Sequence, residues 1–218
     1  YWRRNGLNRA RVLSHGFGQA DIDLNAELVP KADGFDYLRG TLAQFRANQY
    51  RLIGIDLLVD GALTACGLSS SAAITLLYQE LLCQSMRVSL ELEQRIDWAV
   101  ACENHFIGVQ SGVGDQTPML FAGDGESVLY DCRSRQAKRI VPKDQWRFLV
   151  INSGQSAALS ASSSFNDRVA ESFEAASEMA LLLKRPSERA RLSDFSDAEW
   201  NALTPRLSAT AQRRSAHF

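Results

Sequence analysis

The sequence predicts a protein of mixed helices and strands, because segments with helical spacing of apolar residues alternate with short segments that are dense in aliphatic residues. Apolar side chains recur at helical spacing in residues 36–48, whereas residues 50–59 are rich in leucine and isoleucine. A chain of 218 residues is also long enough to bury a sizeable core, either as one large domain or as parts of two.

The first half of the chain predicts three helices and one strand. A helix over residues 36–48 is followed by a strand over residues 50–59, which leads into a serine-rich loop. Residues 71–86 predict a long, mostly buried helix. Residues 90–106 predict another helix, with most of its apolar residues on one side and Ser89 as its cap.

The second half predicts loops, two strands and two helices. A loop that contains three glycines is expected over residues 108–116. The further predicted elements are, in chain order, strands over residues 127–132 and 148–152, a loop over residues 152–164, a helix over residues 166–184, a polar connector over residues 192–200 and a helix over residues 203–217.

The composition argues against several classes of function. A content of 45% hydrophobic and 22% charged residues is typical of a soluble globular protein. A formal net charge of −1 without a basic run does not favour nucleic acid, and no apolar run approaches the roughly 20 residues that a membrane helix needs. Four widely spaced cysteines predict reduced thiols in the cytoplasm, and three isolated histidines suggest neither a zinc site nor a hydrolytic triad.

Residues 66–73 (CGLSSSAA) place one glycine and three serines at the start of an apolar helix. Small residues at a helix start leave backbone N–H groups pointing outward, where the helix dipole favours an anion such as polyphosphate. Serine is also a preferred N-cap residue. The octapeptide alone therefore leaves two alternatives, a phosphate cradle and a simple helix cap.

Two carboxylates could complete a site for phosphoryl transfer, which needs a phosphate cradle, oxygen ligands for Mg²⁺ and a group that positions or deprotonates the acceptor. Ser71 and Glu103 offer hard oxygen ligands, and Asp115 in the glycine-containing loop could accept a hydroxyl proton. Taken singly, Glu103 is also explained as a solvated helix residue, and Asp115 as a turn former.

Several motifs resemble one enzyme family and occur in that family's order. Residues 67–73 (GLSSSAA) are similar to the phosphate-binding signature of galactokinase-type members of the GHMP kinase superfamily. The other matching segments are, in chain order, residues 103–116 (ENHFIGVQSGVGDQ), Asp131-Cys132-Arg133, Asn152-Ser153, residues 164–168 (SFNDR) and residues 213–217 (RRSAH). Because the matches span nearly all of the chain, they are much more specific together than any one of them is alone.

The resemblance implies a kinase that uses ATP and Mg²⁺ to convert a galactose-like monosaccharide into its sugar 1-phosphate. The residues that it places around the ATP phosphates are Gly67, Leu68, Ser69, Ser70, Ser71 and Ala72. It implies that Ser71 and Glu103 bind Mg²⁺ and that Asp115 is the catalytic residue, acting on the anomeric hydroxyl of the sugar. Gly112 matches a glycine whose backbone approaches the sugar closely, where a Cβ would obstruct it.

The fold implied by the resemblance is α+β and has two domains. Residues 1–145 would form a GHMP kinase N-terminal domain like domain 2 of ribosomal protein S5, and residues 146–218 the start of a ferredoxin-like C-terminal domain. Both are expected to be incomplete, because the family's first motif, with an arginine and sugar-binding residues, would precede Tyr1. We therefore expect this chain to be an excerpt of a longer protein, inactive when expressed alone because it lacks that arginine.

Four positions depart from the family pattern. Leu63 and Ala65 stand where the family usually has proline and glycine, and Gly114 replaces a methionine. Phe165 stands where galactokinases have a tyrosine whose hydroxyl reaches the sugar. A lost hydrogen-bond partner shifts specificity, so galacturonate or arabinose is an alternative to galactose.

A second hypothesis, from another class of function, is a non-catalytic regulator that binds sugar and ATP on the same scaffold. The intact serine loop, Glu103 and Asp115 favour catalysis. A kinase of another branch, such as mevalonate kinase, is disfavoured by residues 131–133 and 165–168. The expected partners are thus a small-molecule sugar and ATP, and the sequence does not predict an oligomeric state.

Overall fold

A four-stranded mixed sheet is formed by strands from the first 59 residues. The computed structural model describes residues 1–61, 67–142, 147–151 and 163–216. The strands are β1 (Trp2–Arg4), β2 (Arg9–Ser14), β3 (Gly18–Asp23) and β4 (Ile55–Val59), in the order β1–β4–β2–β3. β2 is parallel to β4, and the outer strands are antiparallel to their neighbours. The strand predicted over residues 50–59 is confirmed only in its second half.

The sheet buries one face because its strands alternate between apolar and polar residues. Val12 in β2 and Ile55 in β4 are buried. On the opposite face, Arg11 and Asp56 are directly paired in the register, and Arg11 Nε donates to Asp56 Oδ1 at 2.6 Å. The charged face therefore points to solvent, and the apolar face carries the helices.

Three helices pack with the sheet into the first hydrophobic core. They are α1 (Asp36–Ala47), α2 (Ser70–Met86) and α3 (Leu92–Cys102), which confirm the helices predicted over residues 36–48, 71–86 and 90–106. The predicted cap is wrong, because Glu91 and not Ser89 stands at the N-cap position of α3. Leu38, Leu42 and Phe45 on α1 are fully buried, as the helical spacing predicts. The Phe45 ring also meets the Trp98 ring of α3 edge to face, with their centroids 5.1 Å apart.

After α3 the chain adds elements that the sequence analysis did not separate. A π-helical turn, Glu103–Ile107, extends α3, and a short helix α4 (Gln116–Phe121) begins where a loop was expected to end. The hairpin of β5 (Ser127–Asp131) and β6 (Gln136–Ile140) follows. The predicted strand over residues 127–132 is therefore confirmed as the first strand of this hairpin.

The chain divides into two units, residues 1–158 and residues 159–218. The second unit contains α5 (Ser163–Leu182), α6 (Asp197–Leu203) and α7 (Ala209–Ser215) around its own core. α5 confirms the helix predicted over residues 166–184.

The polar connector predicted over residues 192–200 is wrong, because a 3₁₀ turn (Leu192–Asp194) and the first half of α6 lie there. Ser196 and Glu199 form a capping box at the start of α6. The single helix over residues 203–217 is instead a 3₁₀ turn (Thr204–Arg206) followed by α7.

The strand predicted over residues 148–152 is also wrong for residues 148–151, which form no strand and have exposed side chains. Asn152, Ser153, Leu63 and Ala65 lie outside the described residues. Among the helices that the structure does describe, none combines the length and the apolar character needed to cross a bilayer.

Replacing Gly40 with alanine should destabilise the protein although helical alanine is normally the better residue. A Cβ at Gly40 would lie 2.4 Å from Cys102 Sγ and 3.0 Å from Phe106 Cγ. Overpacking of this kind costs about 1–3 kcal/mol, which exceeds the 0.5–1 kcal/mol that alanine gains over glycine in a helix, each being a rough range. Urea denaturation of the variant should therefore show a lower free energy of unfolding.

Gly34→Ala is the matched control for this variant, because its Cβ would meet only Phe17 Cδ1 at 3.5 Å, an ordinary contact. Adding Cys102→Ala should recover part of the stability lost in Gly40→Ala, since it removes the atom that is struck. A Gly40→Ala protein as stable as the parent would contradict the packing described for α1 and α3.

Candidate active site

The serine-rich segment enters α2 through left-handed backbone. Gly67 has φ +71° and Ser69 has φ +55°, and Ser69 stands at the N-cap position without any capping hydrogen bond from its side chain. The alternative of a simple serine cap therefore lacks the hydrogen bond that defines such a cap. The positive φ of Gly67 explains why glycine suits this position.

The rest of the segment is fixed by the helix that follows it. Ser70 and Ser71 begin α2 and are half-buried, and the Ser71 carbonyl accepts a hydrogen bond from Thr75 Oγ1 at 2.8 Å. Ala72 is fully buried, whereas Leu68 is exposed. The start of the helix is thus anchored in the core while the residues before it lie at the surface.

Glu103 lies at the start of the π-helical turn that extends α3. The turn ends at Gly108 in the left-handed conformation, and the N–H of Gly108 and of Val109 both donate to the Glu103 carbonyl. Single π-helical turns are rare in proteins, and those that do occur often lie at functional sites. The turn folds the next segment of chain back towards Glu103.

The Glu103 side chain is buried, with 5% of its surface exposed. Ser111 Oγ donates to Glu103 Oε2, and Gln116 Nε2 donates to the same oxygen at 3.3 Å. Within residues 1–61, 67–142, 147–151 and 163–216, no lysine, arginine or histidine forms an ion pair with this carboxylate. The site therefore holds a buried acidic group without a cationic partner from the described protein.

The charge of Glu103 affects the titration of two neighbours. Burial, followed by the negative charge of Glu103, raises the pKa of the Tyr37 hydroxyl to about 12. The same two causes raise the pKa of the Cys102 thiol to about 12. Both groups are therefore neutral at physiological pH and add no second negative charge beside Glu103.

Asp115 and Gln116 are adjacent but differ in exposure. Gln116 begins α4 and is fully buried beside Glu103, whereas Asp115 is exposed and its side chain makes no capping bond to α4. α2 also packs against α4. The structure thus links Asp115 to Glu103 through one intervening residue and leaves its carboxylate open to a ligand.

Two glycines precede Asp115 at positions where the described protein would leave room for a side chain. A Cβ at Gly112 or at Gly114 would find no atom within 4 Å among the described residues. Phe165 is half-buried near the start of α5, in the second unit. The structure therefore brings Glu103 together with the loop that carries Gly112 and Asp115.

The Glu103 carboxylate is a hard oxygen donor of the kind that Mg²⁺ prefers. The described part of the chain has no group of three or more histidine, cysteine, aspartate or glutamate side chains that could hold a metal ion. Mg²⁺ is usually bound by one or two carboxylates together with substrate phosphates and water. A buried Glu103 carboxylate that has no ion pair among the described residues agrees with that mode.

Sequence reasoning did not assign roles to Ser111 and Gln116, the two side chains that hold Glu103. Both lie in the segment over residues 103–116 whose pattern had singled out Glu103 and Asp115. The sequence signal for them is weak, since it consists of a serine and a glutamine in the segment that follows the helix with Glu103. Their common contact depends on the π-helical turn, which the apolar periodicity does not encode.

Comparison with known proteins gives one family model and a consistent set of relatives. Residues 36–123 match the family model of the GHMP kinases N terminal domain. Galactokinase of Lactococcus lactis subsp. cremoris is 28% identical over 96% of this chain and 53% of its own length. Galactokinase of Bacillus subtilis is 28% identical over 98% of this chain and 55% of its own length. The chain thus spans about half the length of the curated relatives it matches.

Solved structures give the same result for the fold. The crystal structure of Lactococcus lactis galactokinase complexed with galactose superposes with a TM-score of 0.85 at 25% identity, over 99% of this chain and 56% of that one. Methanococcus jannaschii mevalonate kinase superposes with a TM-score of 0.50 at 14% identity, over 56% of this chain and 40% of that one, which indicates a shared fold alone. The predicted α+β fold is confirmed.

Proposed function

We propose that this chain, a galactokinase-type member of the GHMP kinase superfamily, comes from an ATP-dependent sugar kinase. It phosphorylates the anomeric hydroxyl of a galactose-like monosaccharide and releases ADP. The observation that carries the proposal is the buried Glu103 carboxylate, which has no cationic partner in the described protein and lies next to the loop that presents Asp115.

The backbone of residues 67–71 and Ala72 would wrap the phosphates of ATP. The left-handed conformations of Gly67 and Ser69 and the uncapped start of α2 support this role, because N–H groups at a helix start favour an anion. Ser71 and Glu103 would hold Mg²⁺, which neutralises phosphate charge when bound. The buried position of Glu103 strengthens its interaction with a cation, since the interior screens charge poorly.

Asp115 would accept the proton of the anomeric hydroxyl as that oxygen bonds to the γ-phosphorus of ATP. The bond from the γ-phosphorus to the bridging oxygen breaks in the same reaction, and ADP leaves with that electron pair. The exposed Asp115 carboxylate supports this role, because a general base has to come within hydrogen-bond reach of the substrate. The open space beside Gly112 supports a close approach of the sugar.

The identity of the sugar is the less supported part of the proposal. Galactose is favoured because the relatives are galactokinases and one is solved with galactose bound. The family resemblance assigns Phe165 to sugar binding, and its missing hydroxyl leaves arabinose and galacturonate as alternatives. The free thiols Cys83, Cys102 and Cys132 agree with a cytoplasmic location, which is proposed with the activity.

A sugar panel assayed by ADP release from the full-length protein tests the proposal. We expect Mg²⁺-dependent ADP release with galactose or with one of its alternatives, arabinose and galacturonate, and the product to be a sugar 1-phosphate by phosphorus NMR. A mannose reaction and a reaction without sugar are the controls. Binding of ATP and sugar without any ADP release would instead support the non-catalytic regulator.

A further inference from the structure

Two neutral side chains from different segments hold the Glu103 carboxylate by one and the same oxygen. Ser111 comes from the loop that follows the π-helical turn, and Gln116 is the first residue of α4. Ser111 Oγ and Gln116 Nε2 both donate to Oε2, and the structure describes no hydrogen bond to Oε1. The carboxylate is thereby oriented through one of its two oxygens.

We propose that Ser111 and Gln116 are positioning residues that fix Glu103 through Oε2, so that its other oxygen would be available to the Mg²⁺ that accompanies ATP. This inference rests on the proposed function, because it takes Glu103 as a ligand of that cation. Partners that orient a metal-binding carboxylate tune metal affinity although they never touch the metal. Ser111 and Gln116 therefore act on the nucleotide site through Glu103.

The neutrality of the two donors is part of the argument. An arginine or lysine in either place would orient the carboxylate equally well but would neutralise it and compete with a cation. Hydroxyl and amide donors orient Glu103 and leave its full negative charge for the metal.

The orientation of the Gln116 amide is determined by its surroundings. Gln116 is fully buried, and its Oε1 has no hydrogen-bond partner in the part of the chain that the structure describes. Turning the amide over would bring that oxygen against the Glu103 carboxylate and leave the amide N–H₂ without its acceptor. An unpaired buried acceptor is unfavourable for folding, so Gln116 makes its bond to Glu103 at the expense of its own oxygen. That is typical of a residue kept for the site rather than for stability.

The test is calorimetric titration of the full-length protein with ATP, once with Mg²⁺ and once with EDTA. Ser111→Ala and Gln116→Leu should each lower the affinity for ATP in the presence of Mg²⁺ by about 10–100-fold, the usual effect of losing such a partner. Affinity in EDTA should stay within about twofold, because the cradle of residues 67–71 is untouched. Ser111→Thr, which keeps the hydroxyl, should retain most of the Mg²⁺ effect.

Ser134→Ala is the matched control. It also deletes a serine hydroxyl that donates to a carboxylate, Asp131 Oδ2 at 2.7 Å, but in an exposed turn outside the site. It should leave both affinities unchanged.

The inference is overturned if Ser111→Ala binds ATP with parental affinity in Mg²⁺, or if it loses affinity equally in Mg²⁺ and EDTA. Because Ser111 is only half-buried, that variant decides the question even if Gln116→Leu fails to fold. A parent protein that phosphorylates a sugar while the variants keep their Mg²⁺ effect contradicts this inference alone. A parent protein that neither phosphorylates a sugar nor gains ATP affinity from Mg²⁺ contradicts the proposed function and this inference together.

Discussion

Asp115→Asn should lower sugar phosphorylation by the full-length protein by about 10²–10⁴-fold, the usual contribution of a general base. The substitution keeps the volume of the side chain and removes the group that would accept the hydroxyl proton. Because Asp115 is exposed and does not cap α4 with its side chain, we expect the free energy of unfolding to change by no more than about 0.5 kcal/mol. Initial rates of ADP release and a urea denaturation curve measure the two quantities.

Asp124→Asn is the matched control for this loss of charge, since Asp124 is exposed in the turn that joins α4 to β5. It should leave turnover unchanged. An Asp115→Asn protein with turnover within a few-fold of the parent would remove Asp115 from the catalytic role. ATP affinity should be nearly unaffected in either variant, because the phosphate contacts proposed for residues 67–71 remain.

Glu103→Gln should lower the activity of the full-length protein but should not lower its stability. We expect turnover to fall by about 10²-fold, because a bound cation supplies several kcal/mol of charge stabilisation in such reactions. The Mg²⁺ concentration that gives half-maximal activity should rise at least about tenfold. In EDTA, however, the free energy of unfolding should stay equal or rise by about 1 kcal/mol, because a buried carboxylate without an ion pair is costly and glutamine still accepts from Ser111.

A Mg²⁺ titration of activity and a urea denaturation in EDTA measure these effects. Glu174→Gln, at an exposed position of α5, is the control for loss of one carboxylate. A large loss of stability in EDTA would assign Glu103 a structural role and would count against the cation site. The opposite signs expected for activity and stability make this variant informative even when its turnover is too low to measure.

The helices were predictable wherever one stripe of residues is buried. Leu38, Leu42 and Phe45 on α1 follow that rule, and α5 does as well, whereas α2 was predictable as a long apolar helix that is mostly buried. Strands were harder to predict from the sequence, because β1 has only three residues and β2 has only six, in which arginines alternate with apolar residues. The apolar run over residues 148–151 predicted a strand, but a strand also needs a neighbour for its hydrogen bonds, and the run alone cannot supply one.

α4 was missed because Pro118 and the nearby glycines are typical of a loop. Proline is nevertheless accepted in the first turn of a helix, where its missing N–H has no partner to lose, and Pro118 is the third residue of α4.

The sequence predicted the charged residues of the candidate site but not the neutral residues that hydrogen-bond to them. Glu103 and Asp115 stand in a recognisable pattern of residue types, and the structure links them through Gln116. The contact of Ser111 with Glu103 spans eight positions and depends on how the chain turns back on itself. Such a return is a property of tertiary geometry, and neither propensity nor periodicity encodes it.

The π-helical turn Glu103–Ile107 makes the number of residues in this stretch matter as well as their identity. Deleting one residue there would restore ordinary α-helical winding and rotate everything that follows by about 100° relative to α3. Ser111 and Gln116 would then leave Glu103 even though no side chain of the site had been altered. The exposed His105 should therefore tolerate substitution, whereas an insertion or deletion between Glu103 and Ile107 would have to be compensated within the same turn.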